Sequence, residues 1–379
     1  MNSKLLQKGI EIELYGGTEA GNVLPLSSKL KEYLPELSQE PDQRNFEYIT
    51  KPTQDYKKLY KEIIEPRLKI RKVLKQLGNY TLIPGSTIPL GIKSEFHFSK
   101  QNDPYHKFIC KEYGTSVITT SLHMNFGIEN YTHLFNLISA LRLDTPLFLA
   151  LSASSCFHNN KVTNNMSHRW LTFPKSPLTT PLFTNHEEYI KWTNEQLTKK
   201  SIFNVRHHWA SIRPNGPNRP YELNRIEVRI CDLVTNTKHV LAIIAFIESL
   251  IQSYISNENW PRVLKDQNNI KNFTDFLDKQ EELVAKYGLK ANIWDWRNNR
   301  ERNISEIIND VYKEICHTAK YLDIFKYLNP LEEILETGNE SIKFMEFYKK
   351  SRSIPLTIQN FINEFNKMDL ESLNMLQIK

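Results

Sequence analysis

Four stretches of the chain alternate between apolar and polar residues, the pattern of a strand with one face in a core. In Gly9–Tyr15, Ile10, Ile12 and Leu14 oppose Glu11, Glu13 and Tyr15, and Gly16-Gly17 is expected to break the run. In Ser121–Ile128, Leu122, Met124, Phe126 and Ile128 oppose His123, Asn125 and Gly127. Further on, Ile226, Val228 and Ile230 oppose Glu227, Arg229 and Cys231. The fourth run, Asn45–Thr50, carries Glu47 and stops at Pro52, with Glu40 seven residues before Glu47.

Between these runs the spacing turns helical. Residues 53–77 read as a helix, with Thr53 as N-cap, Gly78 past its end and Pro66 set to kink or split it. Leu134–Leu151 is apolar at helical spacing, with a kink expected at Pro146. Residues 152–185, rich in Ser, Thr, Asn and Pro, read as a long loop, which in a compact domain is often functional. After Asn236, a plausible N-cap, the chain reads mainly as helices. The longest apolar run, Val240–Ile247, is far below the roughly 18 residues of a membrane span. No internal repeat or linker divides the chain. Length alone, 379 residues, would suggest two domains. The motifs favour one catalytic domain over 1–379, with a sheet core at about 8–235 and a helical part at about 236–379.

Composition narrows the function. A hydrophobic fraction of 40%, with 19 Phe, 17 Tyr and 6 Trp, excludes a largely disordered chain. The net charge of +6, from 49 basic and 43 acidic residues, permits anionic substrates without requiring nucleic acid. The basic residues are spread out and the acidic ones sit on the patterned strands, which would repel nucleic acid. Four dispersed cysteines with no C-x-x-C spacing argue against a zinc ribbon or a disulfide framework. Met1 to Gly9 lack the apolar stretch expected of a signal peptide. A cytoplasmic protein without a membrane partner is the expectation; nothing in the sequence speaks to oligomeric state.

The chemistry sits on the polar strand faces. Residues two apart on a strand share a face, which groups Glu11 with Glu13, His123 with Asn125, and Glu227 with Arg229. Such faces can simply meet water. If they meet one another instead, the carboxylates repel and call for cations. Mg²⁺ suits hard oxygen ligands completed by phosphate oxygens, and a histidine among them shifts the preference towards Mn²⁺. No P-loop, G-x-G-x-x-G, G-x-S-x-G or H-E-x-x-H occurs. Any ATP must therefore be held by metal and arginines. Of the arginines near these runs, Arg229 stands out because it shares a face with Glu227. Arg213 and Arg219 flank the rigid Pro214-Asn215-Gly216-Pro217 turn.

Taken in order, these motifs resemble those of glutamate–cysteine ligases, most closely the cyanobacterial type. Gly9-Ile10-Glu11-Ile12-Glu13 resembles the opening strand of that superfamily, and Glu40 and Glu47 with Ile49-Thr50-Lys51-Pro52 its second acidic element. Ile83-Pro84-Gly85-Ser86-Thr87, Tyr113-Gly114-Thr115-Ser116 and Ser121-Leu122-His123-Met124-Asn125 continue the likeness. Leu151–Ser155 and His168-Arg169-Trp170 resemble its substrate loop, from whose usual Pro and Gly content His158-Asn159-Asn160 departs. Ile212–Pro217 and Arg225–Asp232 complete the set. The resemblance implies an α+β, glutamine synthetase-like fold: an antiparallel sheet funnel with helices outside. It implies ATP-dependent joining of the γ-carboxylate of L-glutamate to the amine of L-cysteine, the first step of glutathione synthesis. By the same resemblance Glu11, Glu13, Glu40, Glu47, His123 and Glu227 are metal ligands, Arg229 steadies the transferred phosphoryl group, and Glu227 and Arg229 are catalytic. Arg169, Arg213 and Asn125 are implied to contact substrate. The alternatives are a related ligase using another amine, or a metal-dependent phosphotransferase on the same sheet.

Overall fold

A computed structural model describes residues 5–91, 95–128, 130–257 and 273–377. The alternating runs pair into one antiparallel sheet. Its strands are β1 (Lys8–Gly17), β2 (Ser38–Gln39), β3 (Asn45–Ile49), β4 (Thr81–Ile83) and β5 (Leu122–Gly127). After a small hairpin of β6 (Phe157–His158) and β7 (Lys161–Val162) come β8 (Ile212–Asn215) and β9 (Arg225–Val228). The order in space is β2-β3-β1-β5-β9-β8, with β4 joined to the end of β1. Register decides which side chains meet. Glu11 lies opposite His123, Glu13 opposite Glu47, Asn125 opposite Glu227, and Glu227 opposite Arg213. Glu11, Glu13, Glu47, His123, Asn125 and Glu227 thus fall on one face.

The other face carries Ile10, Ile12, Leu14, Phe46, Tyr48, Leu122, Met124, Phe126, Ile226 and Val228, all buried in the main core. Helices α1 (Ser27–Tyr33), α2 (Tyr56–Gly78), α3 (Pro104–Tyr113), α4 (Tyr131–Ser152), α5 (His168–Thr172), α6 (His186–Thr198) and α7 (Thr237–Asn257) are interleaved with the strands in sequence. Residues of α2, α4 and α7 share that core. Every residue of α4 from Leu137 to Ser152 is buried, as befits a helix enclosed on all sides. α4 and α7 are long and apolar enough to cross a membrane, unlike the run read from the sequence, but those windows are 94% and 78% buried within the fold. The C-terminal part adds α8 (Thr274–Tyr287), a hairpin of β10 (Asn292–Asp295) and β11 (Arg300–Asn303), and α9 (Ile304–Tyr321). The short α10 (Phe325–Leu328) and α11 (Leu331–Thr337) lead to α12 (Glu340–Ser351) and α13 (Ile354–Gln377). Ion pairs lock this part to the core. Arg142 of α4 bonds Asp278 and Glu281 of α8, Asp144 of α4 holds Arg297, and Asp369 of α13 holds Arg67 and Arg71 of α2.

Local chemistry shifts several expected boundaries. The α2 cap is Asp55, whose carboxylate accepts from the amides of Lys57 and Lys58. Thr53 cannot cap because its backbone is bridged to Lys8. Gly78 is the last residue of α2, and Asn79 takes the left-handed turn at φ 55°. Gly16-Gly17 does not end β1, since both glycines pair with β4. A Cβ at Gly17 would lie 2.1 Å from the Asn22 carbonyl oxygen, so only glycine fits there. Neither proline splits its helix. At Pro146 the missing amide would orphan the Arg142 carbonyl, which takes the Thr145 hydroxyl at 2.9 Å instead. The expected long loop holds β6, β7 and α5. Asn159 and Asn160 turn the β6–β7 hairpin with φ 49° and 61°, the positive values a type I′ turn needs.

One residue too many sits after β9. Met124 faces Val228, yet Ser121 bridges Asp232, so three steps along β5 match four along the other strand. The amides of Arg229 and Ile230 both donate to the Ser211 carbonyl, at 2.8 and 3.2 Å. This is a β-bulge, and it reverses the alternation beyond it. Cys231 therefore does not share the Glu227 face. It packs in the main core with its thiol 3.9 Å from the Phe148 carbonyl, and burial pushes that thiol up to about 12.

A buried ion pair ties β1 to the helical layer. Lys8 lies 2.9 Å from Glu248 of α7, which also accepts from the Leu6 amide and the Tyr56 hydroxyl, each at 2.7 Å. Burial lowers the Lys8 pKa, and Glu248 opposes the shift. Replacing Glu248 by Ala strands a buried ammonium, so Glu248→Ala should lose about 3–5 kcal/mol of stability in urea unfolding. A loss under about 1 kcal/mol would contradict this account of the pair.

Candidate active site

The polar face of the sheet lines an open cavity of about 150 Å³. β1 supplies Glu11 and Glu13, β3 supplies Asn45 and Glu47, β5 supplies His123, and Ser121 comes just before β5. Glu40, just past β2, closes over the same space. Ligand atoms of Glu11, Glu47 and His123 lie within 4.8 Å of one another, as do those of Glu13, Glu40 and Glu47. Glu47 belongs to both groups. Hydrogen bonds fix the polar face. His123 Nδ1 is 3.2 Å from Glu11, and Ser121 Oγ donates to Glu13 at 2.7 Å and lies 2.8 Å from His123 Nε2.

Crowding shows in the electrostatics. Burial raises the pKa of Glu47 well above the ordinary range, and Glu40, Glu11 and Glu13 add to it. Glu13 and Glu40 are raised too, by burial first and then by a neighbouring carboxylate. Glu11 goes the other way: burial and Glu227 push it up, but His123 and Arg229 outweigh them and it ends low. Carboxylate oxygens with one imidazole are a donor set suited to a divalent cation, Mg²⁺ for the oxygens and Mn²⁺ once the imidazole is counted.

Glu227 stands apart from these ligand groups. It is fully buried, and its oxygens accept from Arg213 at 2.7 and 3.0 Å, from Asn215 at 2.7 Å and from Arg229. Arg219 lies 4.0 Å away. Burial alone would raise its pKa, but Arg213 and Arg229 hold it well below the carboxylate range. Both Glu227 oxygens accept from cationic or amide donors, and Glu227 belongs to neither group of close ligand atoms. Arg213, expected to meet substrate, is its bidentate partner, with Nη1 spent on the Arg206 and His208 carbonyls. Asn125 bridges Glu11 and Arg225, each at 3.1 Å. Arg169 lines the cavity but donates to the carbonyls of Arg229 and Ile230. Arg229 lines the cavity, bonds Glu227 through Nη1 and lies 3.3 Å from His123.

Sequence reasoning missed part of the lining. Tyr105, Phe173, Trp209 and Arg206 also line the cavity. The Arg206 guanidinium makes no hydrogen bond to the described residues, and its charge favours ionised Glu40. Arg206 was visible as one of several arginines near the strands. Tyr105 sits on α3, away from every patterned strand, and carried no signal.

The sequence profile of glutamate-cysteine ligase family 2 (GCS2) matches residues 7–352. The chain belongs to that family. A Gloeobacter violaceus protein provisionally named glutamate–cysteine ligase 2 is 25% identical over 91% of this chain and 93% of its own. One from Chloroflexus aggregans, with the same provisional name, is 20% identical, and the match spans 63% of that protein. Solved structures agree on the fold: the antiparallel funnel backed by helices is the expected α+β, glutamine synthetase-like architecture. Glutamate–cysteine ligase from Francisella tularensis, in complex with AMP, superposes with a TM-score of 0.69 at 15% identity, over 98% of this chain and 93% of that one. A bifunctional glutathione synthetase from Pasteurella multocida gives 0.72 at 13% identity, over 97% of this chain and 53% of that longer one.

The raised carboxylates set a pH dependence. Above the ordinary value of 4.5, Glu13, Glu40 and Glu47 hold protons in the folded state that they would release on unfolding. Their contribution to stability is therefore lost as pH rises through the raised values. A divalent cation bound among them would replace those protons, so the rise in Tm caused by Mn²⁺ over EDTA should be larger at about pH 8 than at about pH 6. Thermal melts at both values check this, and an increment that does not grow with pH would contradict it.

Proposed function

We propose that this protein joins the γ-carboxylate of L-glutamate to the amine of L-cysteine at the expense of ATP, the whole chain, residues 1–379, acting as one catalytic unit. The observation that carries the reading is the convergence of the crowded carboxylates and Arg229 on one cavity, in a chain that belongs to the glutamate–cysteine ligase family. A carboxylate is a poor acylating agent. Transfer of the γ-phosphate of ATP makes γ-glutamyl phosphate and ADP. Attack by the amine then forms the C–N bond, expels phosphate and releases a proton from the ammonium.

The residues divide this work. Glu11, Glu47 and His123, with Glu13 and Glu40 beside them, would hold Mg²⁺ or Mn²⁺. Such a cation neutralises phosphate charge when bound. Arg229 donates to the phosphoryl oxygens during transfer, held in aim by Glu227. Arg206, free of other hydrogen bonds among the described residues, takes an incoming carboxylate. Tyr105, Phe173 and Trp209 cover the reaction and limit water.

The test is release of ADP from ATP, glutamate and Mg²⁺, with cysteine or other amines added. ADP release should require both glutamate and an amine, with cysteine the best. Equal release without any amine would refute the ligase reading, and a better amine would move the reaction to that acceptor. In the same assay Glu227→Gln, which frees Arg229 to swing away, should cut turnover about 100-fold or more, roughly 2.7 kcal/mol in the barrier. Near-normal turnover would remove Glu227 from the machinery.

A further inference from the structure

We propose that Arg169 is a positioning residue, a strut that fixes the bulge after β9 and through it the aim of Arg229. The inference rests on the role of Arg229 given above and goes beyond it. A bulge takes carbonyls out of the ladder, and buried carbonyls need donors. The two amides at this bulge share the Ser211 oxygen. The carbonyls of the same two residues are met by Arg169, Nη2 to Arg229 at 3.0 Å and Nη1 to Ile230 at 3.1 Å. The planar fork spans two successive oxygens, which a single ammonium does not.

The strut is itself braced. Arg169 is 3% exposed, and its amide donates to Ser155 Oγ at 3.1 Å. Asp232 lies 3.5 Å from its Nη1. Asp232 in turn accepts from the Ser154 amide at 3.0 Å, Ser155 Oγ at 2.7 Å and Ser167 Oγ at 2.9 Å. Arg169, the end of α4 and the bulge therefore form one closed set of bonds, with Arg229 projecting from it to Glu227 and His123. The Ser-rich turn after α4 acts on the chemistry through Arg169 and Asp232. Nε of Arg169 has no partner among the described residues and Nη2 has a second N–H, so a direct substrate contact would run through one of these.

The two roles separate in kinetics. Arg169→Lys keeps the charge and loses the fork. As a strut defect it should lower kcat about 10-fold or more while the KM values for glutamate and ATP stay within about 3-fold. Free guanidinium should restore part of the turnover lost in Arg169→Gly. Hydrogen exchange should speed up at the amides of 229–231 in Arg169→Lys. A raised glutamate KM with kcat intact would overturn the strut and make Arg169 a substrate contact. Unchanged turnover would overturn it too. If the unaltered protein shows no glutamate-dependent ADP release, the ligase reading falls. Exchange at 229–231 then decides the strut alone: faster exchange confined there supports it, and unchanged exchange refutes it.

Discussion

Glu11, Glu13, Glu40 and Glu47 crowd one buried face, and their mutual repulsion is the constraint on which the rest of the site depends. The antiparallel register creates it by setting Glu13 directly against Glu47 and Glu11 against His123. Like charges so close are tolerated only with protons or cations between them. The protein supplies part of the answer through Arg229, Arg206 and His123, which favour the ionised forms of particular carboxylates. It leaves Glu47, shared by both ligand groups, with the largest unmet need.

The arginines show the opposite economy. Arg213, Arg219 and Arg229 surround Glu227, which serves them as an internal counter-ion. The surplus positive charge has a measurable mark: burial and then Arg229 draw Arg213 down to about 9. Burial and the same arginines keep His208 neutral by lowering its pKa far below its usual value. Arg206, Arg213 and Arg229 line the same cavity as the crowded carboxylates.

How much of this the sequence disclosed depended on which physics was involved. Alternation by two is a local property, so the strand faces with Glu11, Glu13, Glu47, His123 and Glu227 were legible. The bulge was not, because an extra residue alters no residue type, and reading straight through it put Cys231 on the wrong face. Residue type marked Arg169 and Arg213 as cations but could not say where their donors go. That depends on carbonyls distant in sequence, at Arg229 and Ile230 for one and at Arg206 and His208 for the other. The aromatic wall was invisible for the same reason: Tyr105, Phe173 and Trp209 come from separate segments that only the fold assembles.

The central claim is that the carboxylate face is built for a divalent cation. Crystals soaked in Mn²⁺ and measured for anomalous scattering test it directly. The account predicts a manganese peak within coordination distance of Glu47, shared with Glu11 and His123 or with Glu13 and Glu40. A well-ordered face at saturating Mn²⁺ with no peak near Glu47, its carboxylates paired through protons instead, would contradict it.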